Sequence, residues 1–504
     1  MVARSKFYPI VYVRGYAGTQ GEVEDTVADP YMGFNVGSTK LRQSWDGSVN
    51  KHIFESPLVR LMKDYGYTDA YYEGDEFDFS SKVDQKSVWI YRYYEPVSKE
   101  LGEGKRPEME TYAEGLGEYL RKIRHSVCGA NKRKLTNFKV YLVAHSMGGL
   151  VVRCWLQNLR AQETNPVEVD KVFTYATPHS GIDFRIIGNI PKYIRINNTE
   201  NFNEPRMREY LGIKNKKLPV NSLNNKFPES RFFSLIGTNS KDYTVLAGAV
   251  RRVVGPMSDG LVQIKNAYAD KTPRAFVHRS HSGHYGIVNS EEGYQNLKRF
   301  FFGDICINGI LKIKHISLPK KIEAARKKAR EIKAAYHFEV VTKVRDARWD
   351  LYRRTVDESS AIFKRYEDIQ DGETEIRLFS SYLSKDEIFK NKERNIGRRN
   401  NDEFMGFAIN LGLLVPEYVV DKRYFFDDYY AGDYIFNDQL KLLVKADSSA
   451  TVVKYQWSHQ SNDQWVNVVH TGPIENEWLI EIPCLKEGEP GIDASLNLLI
   501  SPHG

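Results

Sequence analysis

Residues 140–149 read Val-Tyr-Leu-Val-Ala-His-Ser-Met-Gly-Gly, an apolar run that delivers a serine into a helix-like pattern starting at Leu150. A hydroxyl on so sharp a strand-to-helix turn stands proud of a sheet and can attack a carbonyl. Side chains two before and two after the serine would collide in that turn, and those positions hold Ala144 and Gly148. Serine is a weak nucleophile until a base takes its proton, and the base needs a third group to orient it. Downstream, Ser258-Asp259-Gly260-Leu261-Val262 sets Asp259 on a glycine turn. The segment His281-Ser282-Gly283-His284-Tyr285-Gly286 then supplies two imidazoles. His284, just ahead of the apolar Ile287-Val288, is the expected base, with His281 as its rival. The negative charge that such an attack creates needs two N–H donors. Met147, next to the serine, is expected to give one. Tyr16, in the loop Arg14-Gly15-Tyr16-Ala17-Gly18, is expected to give the other.

These groups lie far apart in sequence, so a rigid frame must collect them. Strand-like runs appear at 7–13, 68–72, 87–93, 138–144, 170–176, 231–236 and 275–279, with helix patterns at 57–65, 107–124 and 147–160 between them. Strands alternating with helices predict an α/β fold with a mainly parallel sheet and right-handed crossovers. Residues 182–230 break the rhythm and read as a cap or lid. A connector helix is expected over 312–336, with Ser317 and Pro319 at its start and a thin stripe of Ile322, Ala325, Ala329, Ile332 and Tyr336. Beyond 337 the period becomes two, as in Val453, Tyr455 and Trp457 against Lys454, Gln456 and Ser458. Residues 337–504 therefore read as a β-rich accessory domain, sandwich-like in pattern, and 1–311 as the α/β domain.

Together the motifs resemble those of the α/β-hydrolase superfamily, in particular bacterial lipases and esterases. Four segments carry the likeness: Val11-Tyr12-Val13-Arg14-Gly15-Tyr16, Ala144-His145-Ser146-Met147-Gly148-Gly149, Ala176-Thr177-Pro178-His179-Ser180-Gly181, and Ser258-Asp259-Gly260-Leu261-Val262 with His284. They span about residues 7–300. The resemblance implies an α/β-hydrolase fold, Ser146 as nucleophile, Asp259 as acid, His284 as base, and a carboxylic ester, lipid esters included, as substrate. No cofactor is implied. Two positions depart from the pattern. Arg14 stands where the family usually has His, and Gly286 stands where a calcium-binding Asp is often found, so no calcium is expected there. His145 and His179 read as packing or loop residues. A thioesterase or amidase would use the same machinery. A reading of a different kind is an interaction protein with a hydrolase scaffold and a binding β domain. The charged cap, with Lys192, Arg195, Glu200, Arg206 and Arg208, favours an esterase over a lipase with a large interfacial lid.

The bulk numbers exclude other classes. The net charge of +7 is local, because nine Lys/Arg and two Glu lie between Lys312 and Lys333, leaving 63 basic and 63 acidic residues elsewhere. No nucleic-acid face is therefore expected. Read as a helix, that basic stretch could rest weakly on an anionic membrane surface. Cys128, Cys154, Cys306 and Cys484 form no Cys-x-x-Cys pair and read as free buried thiols, with neither disulfide nor zinc site. With no cleavable leader and no apolar run of about 18 residues, a cytoplasmic location is expected, leaderless export being left open. Oligomeric state has no signature in the chain.

Overall fold

Strands that read as unbroken apolar runs are buried on both faces, as parallel sheets require. The structure is a computed structural model describing residues 7–15, 20–70, 78–100, 103, 107–182, 199–242, 257–283, 285–328, 330–345, 347, 349–370, 373–385, 404–421, 428–446, 450–461, 464–472 and 477–503. The N-terminal strands are β1 (Ile10–Val13), β2 (Ser38–Gln43), β3 (Val49–Phe54), β4 (Thr68–Asp69), β5 (Ser87–Tyr91), β6 (Lys139–His145), β7 (Glu168–Tyr175), β8 (Phe232–Gly237) and β9 (Arg274–Val277). Strands β2 and β3 form a hairpin of their own. The other seven make one sheet in the order β4-β5-β1-β6-β7-β8-β9. Every pair from β4 through β8 is parallel. The central strand β1 is wholly buried, as are Val140, Leu142 and Val143 of β6. This is an α/β-hydrolase fold.

The helix Pro57–Tyr65 starts and stops where its caps dictate. The Ser56 side chain accepts from the Val59 N–H, and Gly66, at φ +67°, closes the last turn on Leu61 and Met62 carbonyls. The helix Met109–Cys128 buries Met109, Tyr112, Leu116, Leu120 and Ile123. The polar stretch before residue 50 contains more than the sequence suggested: the helix Gln20–Ala28 and the β2–β3 hairpin. In the cap region, 199–230 is described and carries a helix at Glu204–Tyr210, whereas 183–198 lies outside the described residues.

The chain divides into two compact units, 1–274 with 278–297, and 298–504 with 275–277. The expected connector helix over 312–336 does not form. Only Lys320–Arg326 is helical, between β10 (Ile305–Ser317) and β11 (Ile332–Val344). The reason lies in the periodicity: Ile307, Leu311 and Ile313 are buried while Asn308, Ile310 and Lys312 are not, which is the alternation of a half-buried strand. Ile332 and Tyr336, assigned to the helix stripe, are core residues of β11 instead, and Ala329 lies outside the described residues. The expected boundary at 311 consequently falls inside β10, which pairs with Gly491–Pro502.

The second unit is antiparallel β structure. One sheet contains β10, Thr374–Leu383, Gly491–Pro502 and Trp478–Lys486. Another runs from β11 through Met405–Leu414, Tyr434–Ala446 and Ala450–Trp457 to Val466–Thr471. The four cysteines are free and buried. Among the described residues no helix is long and apolar enough to cross a membrane.

Candidate active site

The turn after β6 places Ser146 at φ +52°, a left-handed conformation that a non-glycine residue rarely adopts. Its backbone is held by the Ser146 N–H donating to the Tyr175 carbonyl at 2.9 Å and the Gly149 N–H donating to the Ser146 carbonyl at 3.1 Å. The helix Gly148–Cys154 follows at once and widens into a π-type turn at Trp155–Leu159. Close approach explains the glycines. A Cβ at Gly148 would stand 2.3 Å from the Val13 carbonyl oxygen and 2.4 Å from that of Arg14. One at Gly15 would stand 2.6 Å from the Ser146 Cβ. The loop after β1 therefore rests directly on the serine. Gly15→Ala is expected to push the two apart and lower kcat/KM about 10²-fold, since a shift of about 1 Å costs that much. Steady-state kinetics on a soluble ester checks this.

Three side chains from distant segments converge on one line. The His281 Nε2 lies 3.0 Å from the Ser146 Oγ, and its Nδ1 lies 2.8 Å from the Asp259 Oδ2. A carboxylate only accepts, so Nδ1 carries the hydrogen and Nε2 presents a lone pair to the hydroxyl. The other Asp259 oxygen accepts from the Leu261 and Val262 N–H groups at 3.0 and 2.7 Å. The His281 N–H donates to the Asp259 carbonyl at 2.9 Å. All three residues are buried. The imidazole that bridges Ser146 and Asp259 is that of His281, the rival in the sequence reading, whereas His284, the expected base, lies outside the described residues. The backbone bond to Asp259 fixes the His281 main chain beside the carboxylate its ring meets.

His145, the residue before the serine, is not a rival base. Its Nε2 donates to the His281 carbonyl at 2.9 Å. Burial, reinforced by the neighbouring His281, holds its pKa well below the usual histidine range. It is a neutral prop for the main chain of His281. Met147 is the N-cap of the helix Gly148–Cys154, so its N–H is among the donors at the helix start that lack partners within the helix. Tyr16 lies outside the described residues. Arg14 is half-buried and donates from its guanidinium to the Met32 carbonyl. Met32 itself is left-handed at φ +50°. No group of three or more potential metal ligands occurs among the described residues.

The fully buried Arg153 donates to neutral acceptors: the Gln157 Oε1 at 2.8 Å and the carbonyls of His179, Val220 and Ser222 at 3.0, 2.9 and 2.9 Å. It ties the loop after β7 to the described part of the cap. Burial lowers its pKa to about 10. His179 is buried beside it. The Thr174 hydroxyl donates to the Phe233 carbonyl, so the His179 Nε2, 3.1 Å away, donates to Thr174. Among the described residues its Nδ1 finds no partner. Burial first, and the Arg153 charge second, hold His179 well below the usual range. Unfolding then takes up a proton whenever the pH drops below about 6.5, the free-imidazole value. The resulting stability is present above that pH and decreases below it, by up to about 1.4 kcal/mol per pH unit. Urea denaturation across this window checks the slope, which His179→Gln is expected to flatten.

A parallel seven-stranded sheet with a strained serine between β6 and the following helix defines an α/β-hydrolase domain. Residues 108–208, the stretch carrying the serine turn, match the model of the lecithin:cholesterol acyltransferase family. Among curated proteins no sequence matches. Among solved structures, phospholipase PlaB from Legionella pneumophila is similar, with 11% identity, 84% of this chain and 89% of that chain covered, and a TM-score of 0.32. A metagenomic carboxyl esterase, MGS0156, shows 12% identity, 55% and 65% coverage, and a TM-score of 0.29. Likeness at that level carries no weight for substrate.

Proposed function

We propose that this protein hydrolyses carboxylic esters through an acyl-enzyme, with Ser146 as nucleophile, His281 as general base and Asp259 as its orienting acid. The single observation behind the reading is the continuous chain from the Ser146 Oγ through the His281 ring to the Asp259 Oδ2. The Oγ attacks the ester carbonyl as His281 Nε2 takes its proton. The tetrahedral oxyanion is held by the Met147 N–H and a second donor, assigned to Tyr16. Collapse expels the alcohol, which receives the proton from His281. Water, deprotonated by the same nitrogen, then attacks the acyl carbonyl and frees the acid and Ser146. Asp259 stays ionised throughout and stabilises the imidazolium. No step needs a cofactor.

Esters of lipid type are the preferred class, supported by the match to a lipid acyltransferase family. That match also favours a second reading, in which an alcohol replaces water in the last step. A fluorophosphonate probe tests the core of the proposal: covalent labelling at Ser146 is expected, and a folded protein that never labels supports a scaffold instead. A p-nitrophenyl ester series from acetate to palmitate, run with and without an alcohol acceptor, separates the remaining options. A short-chain optimum removes the lipid reading, and transesterified product identifies acyl transfer.

A further inference from the structure

The β2–β3 hairpin has a face with three apolar side chains that no part of the described chain covers. In its register Leu41 pairs with Lys51, Thr39 with Ile53 and Gln43 with Val49, so these six residues share one face. On that face Leu41, Val49 and Ile53 are 65%, 64% and 70% exposed. At the turn Trp45 is 98% exposed. Water-facing strands normally place polar residues there. The hairpin root is, by contrast, fixed. Phe54 is buried, and the Ser38 Oγ donates to the Asn289 carbonyl at 2.6 Å. The Asn289 side chain donates to the Gly33 carbonyl at 3.5 Å, next to the Met32 carbonyl that receives Arg14. The root therefore connects, within the catalytic unit, to the loop that rests on Ser146.

We propose that this hairpin docks the protein on an anionic lipid bilayer, Trp45 and the Leu41-Val49-Ile53 face entering the interface. A tryptophan at a tip is the side chain best suited to the headgroup level, with an apolar body and one N–H donor. Residues 38–54 carry Lys40, Arg42 and Lys51 against Asp46 alone, a charge balance that complements anionic headgroups. A second copy of the chain is a poorer occupant, because four side chains cannot bury the roughly 1,200–2,000 Å² of a stable interface. The basic stretch 312–333, expected as a connector helix able to rest only weakly on a membrane, is committed to β10, a short helix and β11. The proposal rests on the lipid-ester reading, but its readout is binding, not turnover.

The test is co-sedimentation of the full chain with phosphatidylcholine vesicles, with and without phosphatidylglycerol. Wild type is expected to partition onto the anionic vesicles and to be released by salt. Trp45→Ala is expected to lower partition about tenfold, and a combined Leu41→Ser, Val49→Ser, Ile53→Ser variant by more. Lys51→Glu is expected to weaken binding to anionic vesicles only. All these variants should hydrolyse a soluble short-chain ester at the wild-type rate, which also shows that they fold. Equal partition of wild type and variants, or none by either, overturns the proposal. So does a dimer, seen by sedimentation, that the triple variant dissolves. Vesicle binding without any ester turnover would instead count against the hydrolase reading alone.

Discussion

Ser146→Ala is expected to lower turnover of an activated ester by about 10⁴-fold or more and to abolish fluorophosphonate labelling. The size of the loss follows from the geometry. The hydroxyl is the group that His281 reaches, at 3.0 Å, and the turn projects it without alternatives. Alanine accommodates the same turn less the oxygen, so the sheet should survive. Thermal unfolding within a degree or so of wild type would separate lost chemistry from lost fold. Some catalysis should persist, because main-chain donors such as the Met147 N–H still stabilise the oxyanion for attack by water. A variant that retains full activity would dismiss Ser146 as nucleophile.

Replacing the imidazoles one at a time gives the second large effect, and it is asymmetric. His281→Ala is expected to cost as much as Ser146→Ala, and the double variant little more than either single one. Residues acting as one unit lose their contributions together. Removing His281 also strands Asp259, whose Oδ2 loses its donor inside a buried site. An unpaired buried carboxylate is costly, so His281→Ala is expected to lose stability as well as activity. His281→Gln, which can still donate to Asp259, is expected to recover stability without recovering turnover. His284→Ala is expected to stay within a few-fold of wild type. Activity that survives in His281→Ala but vanishes in His284→Ala would transfer the role of base to His284.

These contrasts show where local sequence carried information and where it stopped. The serine turn was legible because its constraints are short-range: an apolar run, small residues at Ala144 and Gly148, and a helix pattern directly after. The caps of Pro57–Tyr65 were legible for the same reason, since Ser56, Pro57 and Gly66 act within one turn. The hairpin β2–β3 was not. One exposed face carries Leu41, Val49 and Ile53, which defeats the usual rule that alternation points hydrophobic residues inward. The stretch 312–336 misled because Lys, Arg, Glu and Ala favour helix locally, whereas β10 gains its stability from pairing with residues 491–502. Strand pairing over such a separation depends on tertiary context more than on local propensity.

The order of chemical groups along the chain, Ser146 then Asp259 then an imidazole, was determined by sequence alone, as were the parallel α/β frame and the β-rich C-terminal part. Which imidazole completes the site was decided only in three dimensions. His281 and His284 are three residues apart in one loop, and no periodicity distinguishes them. The distinction comes from the backbone bond of His281 to Asp259 and from the 2.8 and 3.0 Å contacts of its ring. Proton transfer depends on distances of that order, and residue spacing along a loop does not encode them.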